Sequence, residues 1–288
     1  MPPAGHEIFK LHNMDRNEIK EKSKKNFKKT SKYLGRVIPV YDIEDLHNFR
    51  TEYKKLRAFL RILSNGKADK KIKLTKKIKS LYHVAGCLRD IQLQTIRINE
   101  QTDKGLEKPR QYLKFLNQEK QKLKFSFAEI NSENLLSHNK KISEKSLPGK
   151  FTFSDFKQFV RKKKQRLVLI TETGIYNDET IHETRKIIKD IFYNAGLFRT
   201  ARTVHLFTNT WRVTDEKCLP KLLEDLGEYH DKAVSIQLLK PEWLNAVNSA
   251  NRQSLYVIKE IWVDEKNRLK KPLIEKIAGL TTANPDLP

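Results

Sequence analysis

His47, Arg50, Lys54, Arg57 and Arg61 follow one another at steps of three and four. On a helix such steps return to one face, so the five side chains form a single stripe. Their shared chemistry is anion binding: a guanidinium donates two parallel hydrogen bonds to a phosphate, and an ammonium adds a mobile point charge. Leu46, Phe49, Tyr53, Leu56, Leu60 and Leu63 form an apolar stripe beside it. Like charges in a row weaken their own helix, so the row points to an anionic partner. The arrangement recurs. A shift of 135 positions brings His47 onto His182, Arg50 onto Arg185 and Lys54 onto Lys189, with Leu46, Tyr53 and Leu56 on Ile181, Ile188 and Ile191. Lys55 and Lys186 add cations beside the two stripes.

Each His-bearing stretch is followed by a second pattern. Gly86-x-x-Arg89-Asp90 parallels Gly227-x-x-His230-Asp231 at an offset of 141. Asp90 and Asp231 would repel an anion. They are read as buried partners that orient a cation such as Arg89 or Lys54, with catalytic carboxylates as the alternative. Two readings of His47 and His182 stay open. Each ring contacts the anion, whose charge would favour imidazolium, or each donates a hydrogen bond to a neighbouring helix and orients it.

The helices that must carry these residues can be outlined from periodicity and breakers. The first runs from about Asp42 to Ser64, with Asp42 as cap and Asn65-Gly66 as stop. Further helices are expected over about 68–99, 109–130, 153–169, 178–196, 199–213, 220–239 and 242–270. Residues 131–150 read as a polar connector between halves, and residues 1–38 as a Lys-rich arm, a solubilising tail or one loosely docked helix. Lys157, Arg161 and Lys164 form a third cationic stripe with no counterpart in the first half, left between solvated surface and binding face. Trp211, Trp243 and Trp262 read as core or packing residues. No hairpin signal is evident. Apolar stripes on so many helices must bury against one another, which gives an all-α bundle. The repeat suggests two pseudo-symmetric bundles, one over about 39–135 and one over about 150–275, followed by a tail at 276–288.

Composition bounds the partner. Among 288 residues, 58 Lys and Arg against 35 Asp and Glu leave a net charge of +23. That excess favours polyanions: nucleic acid, polyphosphate or an acidic membrane surface. Cys87 and Cys218 are too few for a disulfide framework, and no His/Cys spacing suits zinc. There is no signal-peptide run at the start and no apolar stretch approaching the ~20 residues of a membrane span. The expectation is a soluble cytoplasmic protein without cofactor or metal.

Taken together, His47-x-x-Arg50-x-x-x-Lys54-Lys55-x-Arg57, the downstream Gly86-x-x-Arg89-Asp90 and their repetition resemble the conserved histidine α-helical (CHAD) domain over about residues 40–270. The second copy departs from the pattern, with Asp190, Phe192 and Gly196 at the registers of Lys55, Arg57 and Arg61. The resemblance implies two pseudo-symmetric bundles around a basic central cleft, inorganic polyphosphate as ligand, and association with polyphosphate granules. It implies a polyphosphate site at His47, Arg50, Lys54, Lys55, Arg57, Arg61, Arg89, His182, Arg185, Lys186 and Lys189, oriented by Asp90 and Asp231. Catalysis is not expected, because neither a Glu-x-Glu-x-Lys tunnel signature nor a phosphate-cradling Gly-x-x-x-x-Gly-Lys loop occurs. Binding to an RNA or DNA backbone is the alternative function. The oligomeric state is left open.

Overall fold

The chain, as a computed structural model, is described over residues 13–64, 72–198 and 218–280. Helix α1 (Arg16–Val37) starts at Asp15, whose side chain accepts from the Glu18 amide while Glu18 accepts from the Asp15 amide. This reciprocal box satisfies two of the amides that a helix start leaves open. Of the readings open for residues 1–38, the docked helix is the one that the described residues take: α1 buries Ile19, Phe27, Leu34 and Val37 and packs along the next helix. A two-residue strand before it, β1 (Met14–Asp15), pairs antiparallel with β2 (Lys150–Phe151) and pins the start of α1 to the middle of the chain.

Helix α2 (Ile43–Ser64) begins where the sequence indicated, with Asp42 Oδ1 accepting from the Glu44 amide at 2.8 Å and the Asp45 amide at 3.1 Å. Helix α3 (Lys76–Thr102) is capped by Thr75, later than the expected start near Ala68, which lies outside the described residues. Helix α4 (Arg110–Ile130) follows Pro109. The supposed connector contains helix α5 (Leu135–Lys145), which buries Leu135, Leu136 and Asn139. Asn139 Oδ1 accepts from the Thr75 amide at 2.8 Å, so α5 braces the entry to α3. Helix α6 (Phe153–Glu172) and helix α7 (Asp178–Asn194) both begin with capping boxes. A 3-10 turn at Ala195–Leu197 closes α7, at the expected Gly196. The helix expected over 199–213, and Trp211 with it, lies outside the described residues. Helix α8 (Cys218–Leu238) comes next. The last expected helix divides in two, α9 (Pro241–Asn245) and α10 (Ser249–Gly279), because Asn248 caps a fresh start at the Asn251 amide. No described helix is long and apolar enough to cross a membrane.

The apolar stripes bury as two clusters, but the clusters do not divide the chain at its middle. The larger draws Phe49 and Tyr53 of α2 together with Phe156 of α6, Ile188 of α7 and Leu226 of α8. The smaller joins Ile98 of α3 and Tyr112 of α4 to Leu255, Ile258 and Trp262 of α10. Polar ties follow the same route. Gln94 donates to the Ser235 carbonyl at 3.1 Å, and the Tyr112 hydroxyl donates to the Leu238 carbonyl at 3.0 Å. One bundle per repeat was the expectation; instead each core is built from both halves. Trp262 is fully buried and Trp243 packs against Tyr112 at 5.9 Å, as packing residues should.

Candidate anion-binding site

Helix α2 packs on α3 and on α7, and α7 packs on α8, so the two His-bearing helices meet. Arg50 crosses from α2 to α3. Its Nη1 donates to the Tyr82 carbonyl at 2.9 Å and its Cζ lies 4.6 Å from the centre of the Tyr82 ring. Gly86 makes that crossing possible, because a Cβ there would stand 2.1 Å from Arg50 Nη1. The second pattern builds a looser version: a Cβ at Gly227 would lie 3.5 Å from Arg185 Nη2. Each motif glycine thus faces the arginine of the preceding His helix. Arg57 also leans on the Tyr82 ring, at 5.7 Å, and on Tyr53, at 5.8 Å. Tyr53 and Tyr82 are themselves stacked at 4.6 Å. The aromatic faces attract guanidinium groups, and this partly offsets the cost of crowding them.

The crowding registers in proton affinities. Burial, then Arg50, Lys189, Arg185 and Arg89, pushes Lys54 down to about 7. Burial and Arg185, with Arg89 and Arg50 behind, bring Lys189 down to about 8, although Asp231 pulls the other way. A lysine on α2 and one on α7 therefore sit within each other's field. Burial comes first for Arg89 and Arg185 too, and lowers both from the arginine range, against the opposing pull of Asp231. The three imidazoles are likewise held toward the neutral form. Desolvation and Arg89 lower His47; desolvation, Lys186 and Arg185 lower His182; desolvation and Arg185 carry His230 down to about 3. The His182 and His230 rings stack at 4.5 Å. Among the described residues several polar atoms here have no partner: Arg89 Nε, Arg185 Nε and the Tyr53 hydroxyl are buried and unpaired, as is His182 Nδ1.

A model of the CHAD domain family matches residues 24–240. The chain belongs to the CHAD domain family. Its fold is similar to the crystal structure of the CHAD domain from the plant Ricinus communis, with a TM-score of 0.70, 17% identity, and coverage of 97% of this chain and 98% of that one. No curated protein matches it.

Within this CHAD domain the expected site residues divide into two groups. Arg50, Lys54, Arg89, Arg185 and Lys189 converge, with His47 exposed and His182 half-buried. Arg61 does not join them. It pairs with Asp190, which also takes Lys163 at 2.7 Å, so Arg61 clamps α2 to α7 and α6. Lys55 turns to Glu52 at 2.6 Å, and Lys186 to Glu183 at 3.4 Å on an exposed face. Asp231 is less buried than expected, with its carboxylate 41% exposed; it meets Arg97 at 3.4 Å and also pulls on Arg89, Arg185 and Lys189. Asp90, raised by burial and then held back by Arg50 and Arg89, stays near the cation that it was expected to orient. Lys157 and Arg161 of α6 are exposed. Tyr82, Arg97 and His230 were missed. His230 was visible as the counterpart of Arg89, whereas Tyr82 acts through its ring and its carbonyl, which spacing does not reveal.

Proposed function

We propose that this protein binds inorganic polyphosphate, without chemistry of its own, in a basic cleft between α2 and α3 on one side and α7 and α8 on the other. On this reading the two helix pairs descend from one duplicated unit, which accounts for the paired Arg–Gly contacts. The observation that carries the proposal is the state of Lys54. A folded chain holds that ammonium partly desolvated among Arg50, Lys189, Arg185 and Arg89, contributed by three helices. Such a cluster is destabilising by itself, and an anion with many charges offsets it. From His47 to Arg57 the α2 stripe spans about 15 Å at the helical rise, too long for one phosphate and suited to a chain. CHAD membership adds the same ligand class.

Nucleic acid is the second reading, favoured by the exposed Lys20, Lys24, Lys28 and Lys32 along α1. Its phosphates would meet a positively charged surface there. The test is the Lys54→Met/Lys189→Met variant. Each charged contact with phosphate contributes about 1.5–3 kcal/mol, so polyphosphate affinity should fall by roughly a hundredfold or more. The same variant should melt at a higher temperature, because the mutual repulsion is gone. Unchanged affinity in a folded variant rejects the proposal. RNA or DNA that displaces polyphosphate at equal phosphate concentration favours the alternative.

A further inference from the structure

Beyond the central cluster, the far end of α2 opens into a cavity of about 290 Å³ lined by Arg57, Arg61, Lys73 and Lys79, with Leu60, Ile72 and Leu74 as its apolar wall. Among the described residues its lining has four cations and no carboxylate. One acid lies behind it, Asp190, which holds Arg61. Lys73 and Lys79 are exposed and form no ion pair among the described residues. Neither belongs to the His-Arg-Lys pattern, and the central cluster does not use them.

The cavity is joined to the cluster by one ring. Arg50 and Arg57 both rest on Tyr82, with guanidinium carbons 4.6 and 5.7 Å from its centre. Arg57 also lines the cavity, so it belongs to both places. The cationic row runs from Lys54 and Arg50 across Tyr82 to Arg57, and on to Lys79 at the start of α3. Along α2, Arg61 lies about 10 Å beyond Lys54 at the helical rise. A short anion held at Lys54 and Lys189 does not reach the cavity; a long one does.

We infer that this cavity is a second phosphate subsite, through which a long polyphosphate chain leaves the central cluster, gripped by Arg57, Lys73 and Lys79. The inference rests on the polyphosphate reading and adds a direction of travel and a dependence on chain length. Its ligand is an internal stretch of the same polyanion, since the site offers cations and apolar walls but nothing that would single out a terminal group.

The experiment compares wild type with Lys73→Gln/Lys79→Gln, using tripolyphosphate and long-chain polyphosphate as probes, over a salt series. Both lysines are exposed, so the variant should fold, and circular dichroism checks this. Long-chain affinity should fall about tenfold and the slope of log affinity against log salt should shrink by about one to two, as for two lost phosphate contacts. Tripolyphosphate affinity should stay within about twofold. Equal losses for both probes, or no loss for the long chain, overturn the inference while leaving the central site standing. Failure of the wild type to bind either probe removes the polyphosphate reading, and this inference with it.

Discussion

A methyl group added at Gly86 would place its carbon 2.1 Å from Arg50 Nη1 and 2.9 Å from Cζ. The guanidinium must then leave the Tyr82 carbonyl, forfeiting a charged hydrogen bond that contributes about 1.5–3 kcal/mol. The better helix propensity of alanine returns about 1 kcal/mol. Gly86→Ala should therefore lower unfolding free energy by roughly 1 kcal/mol and displace Arg50 from the cluster, weakening polyphosphate binding. Gly227→Ala should behave oppositely. A contact of 3.5 Å to Arg185 Nη2 is ordinary, so the helix gain stands alone and stability should rise by up to about 1 kcal/mol with binding retained. Urea unfolding and a binding titration on both variants read the contrast. If the two glycines respond alike, the close approach of Arg50 to α3 is wrong. At this scale the sequence was informative where chemistry depends on residue type and spacing. Arg50, Arg185 and Lys189, which share that pattern, lie near enough to Lys54 to lower its proton affinity. Arg61 has the same register yet goes elsewhere, because its partner Asp190 lies 129 positions away, and helical spacing carries no trace of it.

Helix α1 shows how an element hides. Its buried face is Ile19, Ser23, Phe27, Thr30, Leu34 and Val37, at steps of three and four. Two of those six are polar, and lysines crowd the rest of the segment, so the apolar period drops below what a hydropathy reading detects. Thr30 manages burial by donating to the Asn26 carbonyl at 2.9 Å. The same device conceals α5, where buried Asn139 donates to the Leu135 carbonyl at 2.8 Å. A segment docked this way is part of the fold, and its removal has a cost. Phe27→Ala should destabilise the protein by about 3–5 kcal/mol, the range for a buried phenylalanine. A change under about 1 kcal/mol in the urea midpoint would return α1 to the status of a loose arm. Helices α2, α4 and α6 were legible because their buried faces are almost wholly apolar, and Asp42, Pro109 and Asn177 marked the starts of α2, α4 and α7.

For the whole molecule, the clustered charges make proton balance a property of the assembled fold. Lys54 at about 7 and Lys189 at about 8 titrate well below the ~10.4 of an unfolded lysine. Between those values the unfolded chain holds more protons, so the stability of the free protein should rise as pH increases from about 7 toward 10. The histidines act in the same sense lower down. With folded values below the ordinary ~6.5, they disfavour the folded state progressively as pH falls beneath it. A bound polyanion reverses the lysine shifts, so binding near pH 8 should take up protons, and affinity should weaken between about pH 7 and 9, before exposed lysines lose their charge. Calorimetry in buffers of different ionisation enthalpy measures the uptake. Zero uptake would place the anion away from both lysines.

The smaller apolar core has a further consequence, in time rather than space. Synthesis proceeds from the N-terminus, so Ile98 and Tyr112 emerge long before Leu255, Ile258 and Trp262, which cover them. Until α10 has left the ribosome, α3 and α4 carry an oily flank that Leu239, Leu244 and Val247 cover only in part. Arrival of that late helix seals the flank.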